Sequence, residues 1–128
     1  MQAFSQEWAT AYHQAINADQ AYATSGAKWS LGKLALVLDE QAVLLDLDQG
    51  QCHSVNSMHA SEARTDAAYI IEGNAAVWQD VLSGKVAPLM GIMSGKLKLT
   101  KGSIGSLMPF AKAAVDLVDS AKKLDTQF

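Results

Sequence analysis

The sequence predicts one α/β domain built on a mostly antiparallel sheet, and three observations carry that reading. Apolar residues alternate with period two between Leu34 and Leu47, and again between Lys96 and Thr100. They recur at helical spacing between Phe4 and Ile16, between Val77 and Leu82, and from Leu107 to Val118. The 128 residues contain no internal repeat, low-complexity run or linker, so residues 1–128 read as a single domain. A chain of this length buries about two thirds of the surface its unfolded form exposes, enough for a real core.

Taken in order, Ser5 caps a helix whose apolar positions are Phe4, Trp8, Ala11, Tyr12, Ala15 and Ile16, with Glu7 well placed in the first turn. That helix runs to about Asn17, and a short turn from Asp19 to Ala23 carries Tyr22 before Ser25-Gly26 breaks the pattern. Leu34, Leu36 and Leu38 share one strand face, and Val43, Leu45 and Leu47 resume the alternation after Asp39-Glu40-Gln41, which predicts a β-hairpin. Gln49-Gly50-Gln51 is a second turn, leading to a third strand over Cys52 to Val55. Ser57 to Thr65 is polar and reads as a loop, followed by another strand from Ala67 to Ile71.

Asn74 then caps a helix that presents Val77, Trp78, Val81 and Leu82, stopped by Ser83-Gly84. Pro88 suits a first helical turn, which places a short helix over Leu89 to Ser94. Lys96 to Thr100 alternates as a strand with Leu97 and Leu99 inward. From Ser103 the chain is helical, with a kink or a split expected at Pro109. Lys112, Asp116, Asp119 and Lys123 form the polar stripe of this last helix, and its apolar arc is wider than one sheet contact requires.

Charge narrows the function classes. Ten basic residues against 13 acidic give a net charge of −3 with no dense Lys/Arg stripe, which argues against nucleic acid as a partner. No apolar run approaches the roughly 20 residues needed to span a bilayer. The opening MQAFSQEW has no basic n-region followed by an apolar stretch, and the single cysteine, Cys52, suits a reducing compartment, so the expectation is a cytoplasmic protein.

The residues that could carry chemistry do not assemble into a site on spacing. Cys52 and His53 are neighbours on a strand and therefore point to opposite faces, where a thiol and its base cannot meet. Cys52, His53, His59 and Glu62 match no common zinc spacing, so no metal is expected. Asp46 and Asp48 stand two apart opposite Val43, Leu45 and Leu47, the wet face of a half-buried strand rather than a glycosidase pair. Gly91 to Leu97 has a phosphate-loop look, yet it is one residue short and places Leu97 where Ser or Thr must meet magnesium. No cofactor and no catalysis are expected. What stands out is an apolar excess in the second half, including three thioethers, Met90, Met93 and Met108, that adapt readily to varied apolar ligands.

The string from Leu82 to Gly102, LSGKVAPLMGIMSGKLKLTKG, resembles the signature of the sterol carrier protein type 2 family: a helix ending in Gly, a short Pro-led helix, then a Gly-Lys-Leu-Lys strand running into Gly and a terminal amphipathic helix. Glu7-Trp8, Asn17, Tyr22 and Trp29 stand at spacings similar to the stand-alone microbial branch. The resemblance implies a sheet of about five strands covered by helices on one side, with an apolar tunnel between sheet and helices. It further implies a non-catalytic lipid-binding or lipid-transfer protein for a fatty acid, acyl-CoA, phospholipid or sterol-like ligand. Its alternative is an interaction or substrate-delivery subunit of a separate lipid-metabolising enzyme, and transient contact with a membrane surface is compatible with both.

Carried over by position, the resemblance puts Trp78, Val81, Leu82, Leu89, Met90, Met93, Leu107, Met108, Phe110 and Ala111 near the ligand. Two departures stand out. The carboxyl end, Asp125 to Phe128, is not the Ser-Lys-Leu type of peroxisomal address, and Ser103 occupies a position that is usually acidic. The terminal helix, with Gly102, Gly105 and Pro109 at its start, is expected to act as a movable wall of the tunnel.

Overall fold

The computed structural model describes residues 1–128, arranged as five strands and seven α-helices. The elements are α1 (Gln6–Asn17), α2 (Gln20–Ser25), β1 (Leu34–Leu38), β2 (Gln41–Asp48), β3 (Gln51–His59), α3 (Ala60–Asp66) and β4 (Tyr69–Gly73). They continue with α4 (Ala75–Leu82), α5 (Pro88–Met93), β5 (Lys98–Lys101), α6 (Ile104–Leu107), a 3₁₀ turn (Met108–Phe110) and α7 (Ala111–Ala121).

The strands lie in the order β3-β2-β1-β4-β5. Three of the four pairings are antiparallel, and β1 runs parallel to β4 with Leu34 opposite Tyr69. Local chemistry starts and stops these elements as the sequence suggests. Ser5 Oγ accepts the Trp8 N–H at 3.2 Å, Asp19 Oδ1 accepts the Ala21 N–H at 2.9 Å, and Asn74 Oδ1 accepts the Val77 N–H at 2.9 Å, each satisfying an otherwise unpaired first-turn donor. The β2–β3 turn is a two-residue hairpin with φ of 49° at Gln49 and 84° at Gly50, the twist-matched geometry that favours glycine. A Cβ on Gly50 would also lie 2.6 Å from the Ala23 carbonyl oxygen.

One sheet face bears Leu34, Leu36, Val43, Leu45, Leu47, Val55, Tyr69 and Ile71, and with the helices it forms the main core. Phe4, just before α1, meets Trp8, and Trp8 meets Tyr12 one turn further on, as tilted pairs with ring centroids 4.9 and 5.0 Å apart, and Trp78 meets Phe4 at 5.5 Å. The polar tips of these rings are committed inside the protein: Trp8 Nε1 to Thr126 Oγ1 at 2.8 Å, Tyr12 Oη to the Leu117 carbonyl at 2.7 Å, and Trp78 Nε1 to the Val37 carbonyl at 2.8 Å. The outer edge of β3 is capped at two points by α1, where Gln6 accepts the Ser57 N–H and Asn17 bonds both backbone groups of Cys52.

Several expectations are corrected. Ser57 to Thr65 is not a loop: β3 continues to His59, and α3 follows at once. Its Ala60 and Ala63, with Ala67 just beyond, pack against Ala35, Val37, Ala42, Leu44 and Ile70 on the second sheet face. Helices therefore cover both faces of the sheet, not one. The contact is made by alanines, which a search for large apolar side chains passes over, and the helix is started by His59 Nδ1 accepting the Ser61 N–H at 3.1 Å. Leu97 is buried but precedes β5 rather than belonging to it. The polar stripe of α7 does not simply face water: Asp116 is buried, receiving the Ser25 hydroxyl at 2.7 Å and Lys112 Nζ at 3.2 Å. Ser103 occupies the N-cap position of α6 without making a side-chain cap. The split at Pro109 is present, as the 3₁₀ turn between α6 and α7.

Candidate functional site

Between the β4–β5 end of the sheet and the carboxyl-terminal half of the chain lies an apolar cavity. The sheet contributes Ile71, α4 contributes Trp78, and Leu97 closes the floor. One wall is α5, whose Pro88 fills the first turn, where a missing N–H costs nothing, and which turns Leu89 and Ile92 inward. Gly91 lets α5 settle onto Leu97, since a Cβ there would stand 3.1 Å from Leu97 Cδ1. The opposite wall is Ile104 and Leu107 of α6, Met108, and a stripe of Ala111, Ala114, Val115 and Val118 along α7. The last four recur at i, i+3, i+4 and i+7, so the wide apolar arc of α7 is partly turned to this space.

Every lining side chain is apolar, and the one with a polar atom, Trp78, has it committed to Val37. The walls close on each other: the space open to a water-sized sphere is about 20 Å³, room for a single water. Nothing larger than a water enters this space unless a wall moves. The wall with the weakest attachment is α6 with the 3₁₀ turn: of its seven residues only Leu107 is buried, and Ile104 and Met108 line the cavity while remaining 47% and 48% exposed. Just before it, Gly102 takes a φ of 92° and lies against the Tyr69 ring, which a Cβ would strike. The start of this wall is thus anchored at Gly102, and its far end is held by the α7 contacts described above.

Of the ten residues placed near the ligand, Trp78, Leu89, Leu107, Met108 and Ala111 come together on the cavity surface. The structure separates the other five from it. Val81 is fully buried in the main core. Leu82 faces a different hollow, beside Ala121 and Phe128. Phe110 turns edge-on to Trp29 at 5.5 Å. Met90 and Met93 are 60% and 74% exposed on the outer side of α5. The cavity is also lined by Ile71, Pro88, Ile92, Leu97, Ile104, Ala114, Val115 and Val118, which the resemblance does not place near the ligand. The helical stripe starting at Ala111 is a signal that picks out Ala114, Val115 and Val118, whereas Ile71 and Leu97 arrive through tertiary packing alone.

The groups weighed for chemistry remain dispersed. Cys52 is buried, its thiol donates to the Ser54 carbonyl at 3.3 Å, and burial pushes it up to about 12, far from a reactive thiolate. His53 points outward, 3.7 Å from Asp48. His59 is engaged as the α3 cap, and no three His, Cys, Asp or Glu side chains converge in metal-binding fashion. Lys96, the lysine of the phosphate-loop-like segment, is exposed beyond the end of α5. No helix is long and apolar enough to cross a membrane.

A model of the SCP-2 sterol transfer family matches residues 12–115. Among solved structures, a crystal structure of sterol carrier protein 2 is 33% identical, covers 95% of this chain and 98% of its own, and superposes with a TM-score of 0.85. A conserved hypothetical protein of Thermus thermophilus, described as a possible sterol carrier protein, is 37% identical over 97% of this chain and 90% of its own, with a TM-score of 0.82. The UbiJ-SCP2 ubiquinone synthesis protein shares the fold at 17% identity and a TM-score of 0.55, over 91% of this chain and 88% of its own. No curated protein matches the chain.

Proposed function

The chain belongs to the SCP-2 sterol transfer family, and from that premise we propose that it is a non-catalytic carrier that holds the apolar part of a lipid in the cavity between the sheet and α4–α7. The observation that carries this reading is the lining: thirteen side chains, all apolar, with no titratable group among them. Such a surface offers nothing to activate a bond, which favours a holding role over a catalytic one. It also favours a ligand with an acyl chain. Each buried methylene contributes about 0.8 kcal/mol, so a single acyl chain supplies several kcal/mol without any polar contact.

The head group stays at the rim, which makes a long-chain fatty acid, its CoA ester or a phospholipid chain suitable, with affinity broad across chain type. A sterol-like ligand needs a wider opening of the α6 wall. The bound lipid is then delivered to a membrane or to a lipid-consuming enzyme, and the single buried thiol suits work in the cytoplasm.

The test is a titration with a fluorescent fatty acid followed by displacement with unlabelled fatty acid, acyl-CoA and phospholipid. Saturable, displaceable binding at micromolar concentration or below is expected. Its absence with all three competitors, together with no co-purifying lipid in native mass spectrometry, would remove the carrier reading.

A further inference from the structure

We infer that the rim of the cavity, formed by the outer side of α5 and by α6, is a docking face for an anionic lipid bilayer. It rests on the carrier reading for its purpose but not for its geometry. Four large apolar side chains are exposed here, Met90 and Met93 on α5 and Ile104 and Met108 on the facing wall. On α5, Met93 lies at 40° between Leu89 at 0° and Met90 at 100° around the axis at 100° per residue, so the apolar surface runs without a break from the cavity wall to the solvent. Ile104 and Met108 do the same on the other side, each lining the cavity while about half exposed. An opening cavity therefore meets water through side chains suited to the headgroup boundary.

Charge selects the bilayer. Residues 81–115 hold five lysines and no acid, so the remaining 93 residues carry all 13 acids against five basic residues, a net charge of −8. Lys96 follows Met93 by three residues and Lys101 precedes Ile104 by three, which keeps each backbone within about 11 Å of that apolar residue. Lys112 is engaged by Asp116, and Lys101 Nζ donates to the Arg64 carbonyl. Lys85, Lys96 and Lys98 make no ion pair or hydrogen bond; Asp39 and Glu72 share a shallow hollow with Lys96 and Lys98, and Glu72 is held by Arg64 at 2.8 Å. An anionic surface attracts this face and repels the acidic remainder, which turns the cavity mouth toward the lipid.

The experiment is flotation of the whole protein with vesicles of phosphatidylcholine alone and of phosphatidylcholine mixed with phosphatidylglycerol, at low and at high salt. Binding to the mixed vesicles only, weakened by salt, is expected. Lys96→Gln/Lys98→Gln should weaken it about fivefold for each lysine. Lys122→Gln/Lys123→Gln, the same charge change at the far end of α7, should leave it within twofold, since charge there lies outside the contact. Met90→Ser/Met93→Ser should reduce it while the variant remains folded by circular dichroism.

Equal binding to neutral vesicles, an equal effect of the two lysine pairs, no binding to either vesicle, or a dimer dissolved by the methionine variant would each overturn the proposal. Fatty acid binding of the parent protein without vesicles separates the two readings. If the parent binds fatty acid but does not float with the mixed vesicles, only the docking face is wrong. If flotation succeeds while no fatty acid binds, the face stands and the carrier reading falls.

Discussion

The Ser120 hydroxyl of α7 donates to the Asp19 carboxylate, the N-cap of α2, across 2.6 Å, and Lys123 stands 3.9 Å from the same carboxylate. With Ser25 donating to Asp116 at 2.7 Å, it ties α2 to α7 through two carboxylates. The hydrogen bond from Ser120, aided by the backbone N–H groups of Tyr22 and Ala21 and by Lys123, holds the Asp19 carboxyl below its ordinary 3.8 against the opposing effect of burial. A carboxyl depressed in the folded state adds stability above its unfolded pKa and loses it as pH falls through the folded one. The urea midpoint should therefore decline as pH is lowered below about 4, and Asp19→Asn, which keeps the cap, should flatten that part of the profile. Ser120→Ala should cost about 1–2 kcal/mol at neutral pH and less in acid.

Met108 and Phe110 are separated by one residue and should behave differently. Met108 lines the cavity and is half exposed, so Met108→Ala should weaken fatty acid binding several-fold and lower stability by less than about 1 kcal/mol. Phe110 packs on Trp29, and Phe110→Ala should cost about 2–3 kcal/mol while any folded protein binds lipid nearly as before. Urea midpoint and affinity measured together for each variant check this.

Tyr22 is fully buried, and its hydroxyl has no hydrogen-bond partner. Burial, and secondarily Cys52, raises its ionisation well above the usual phenol range, so the group stays neutral. A buried donor without a partner carries an uncompensated desolvation cost, and Tyr22→Phe should raise stability by about 1 kcal/mol. A urea midpoint lower than that of the parent would indicate that the hydroxyl is satisfied in solution.

Cys52, His53 and His59 should be dispensable for lipid binding, because none lies on the cavity. The folded protein should react with a thiol reagent slowly at neutral pH and quickly after unfolding, given a thiol that is buried and pushed up to about 12. His53→Ala should be neutral, whereas His59→Ala should cost about 1 kcal/mol through loss of the α3 cap.

The legible part of this molecule was the part with strong local periodicity. Leu34 to Leu47 alternates, Ser5 and Asn74 cap, and Pro109 interrupts, and each feature fixed an element at close to its observed bounds. Helix α3 was hidden because its contact is made by Ala60 and Ala63, small residues in an otherwise polar run. The parallel pairing of β1 with β4 is a long-range fact, since Leu34 and Tyr69 meet only after two strands and a helix have intervened. At the cavity, the family resemblance points to Leu107, Met108 and Ala111, which do line it, yet a resemblance by position does not tell which side of α5 turns inward. The resemblance puts Met90 and Met93 near the ligand, yet both face solvent, while Leu89 and Ile92 line the wall. Six residues of helix are too few for an apolar stripe to choose between cavity and solvent without the neighbouring elements.

The central claim is that lipid enters this one cavity, and Trp78 reports on it: of the three tryptophans, all fully buried, only Trp78 lines the space. Titration with a brominated fatty acid, which quenches tryptophan emission on contact, should give saturable quenching in the parent protein. In a folded Trp78→Phe variant that still binds fluorescent fatty acid, most of that quenching should disappear. Quenching of equal depth in parent and variant, or none in the parent at concentrations where fatty acid binds, would contradict the account by placing the ligand elsewhere.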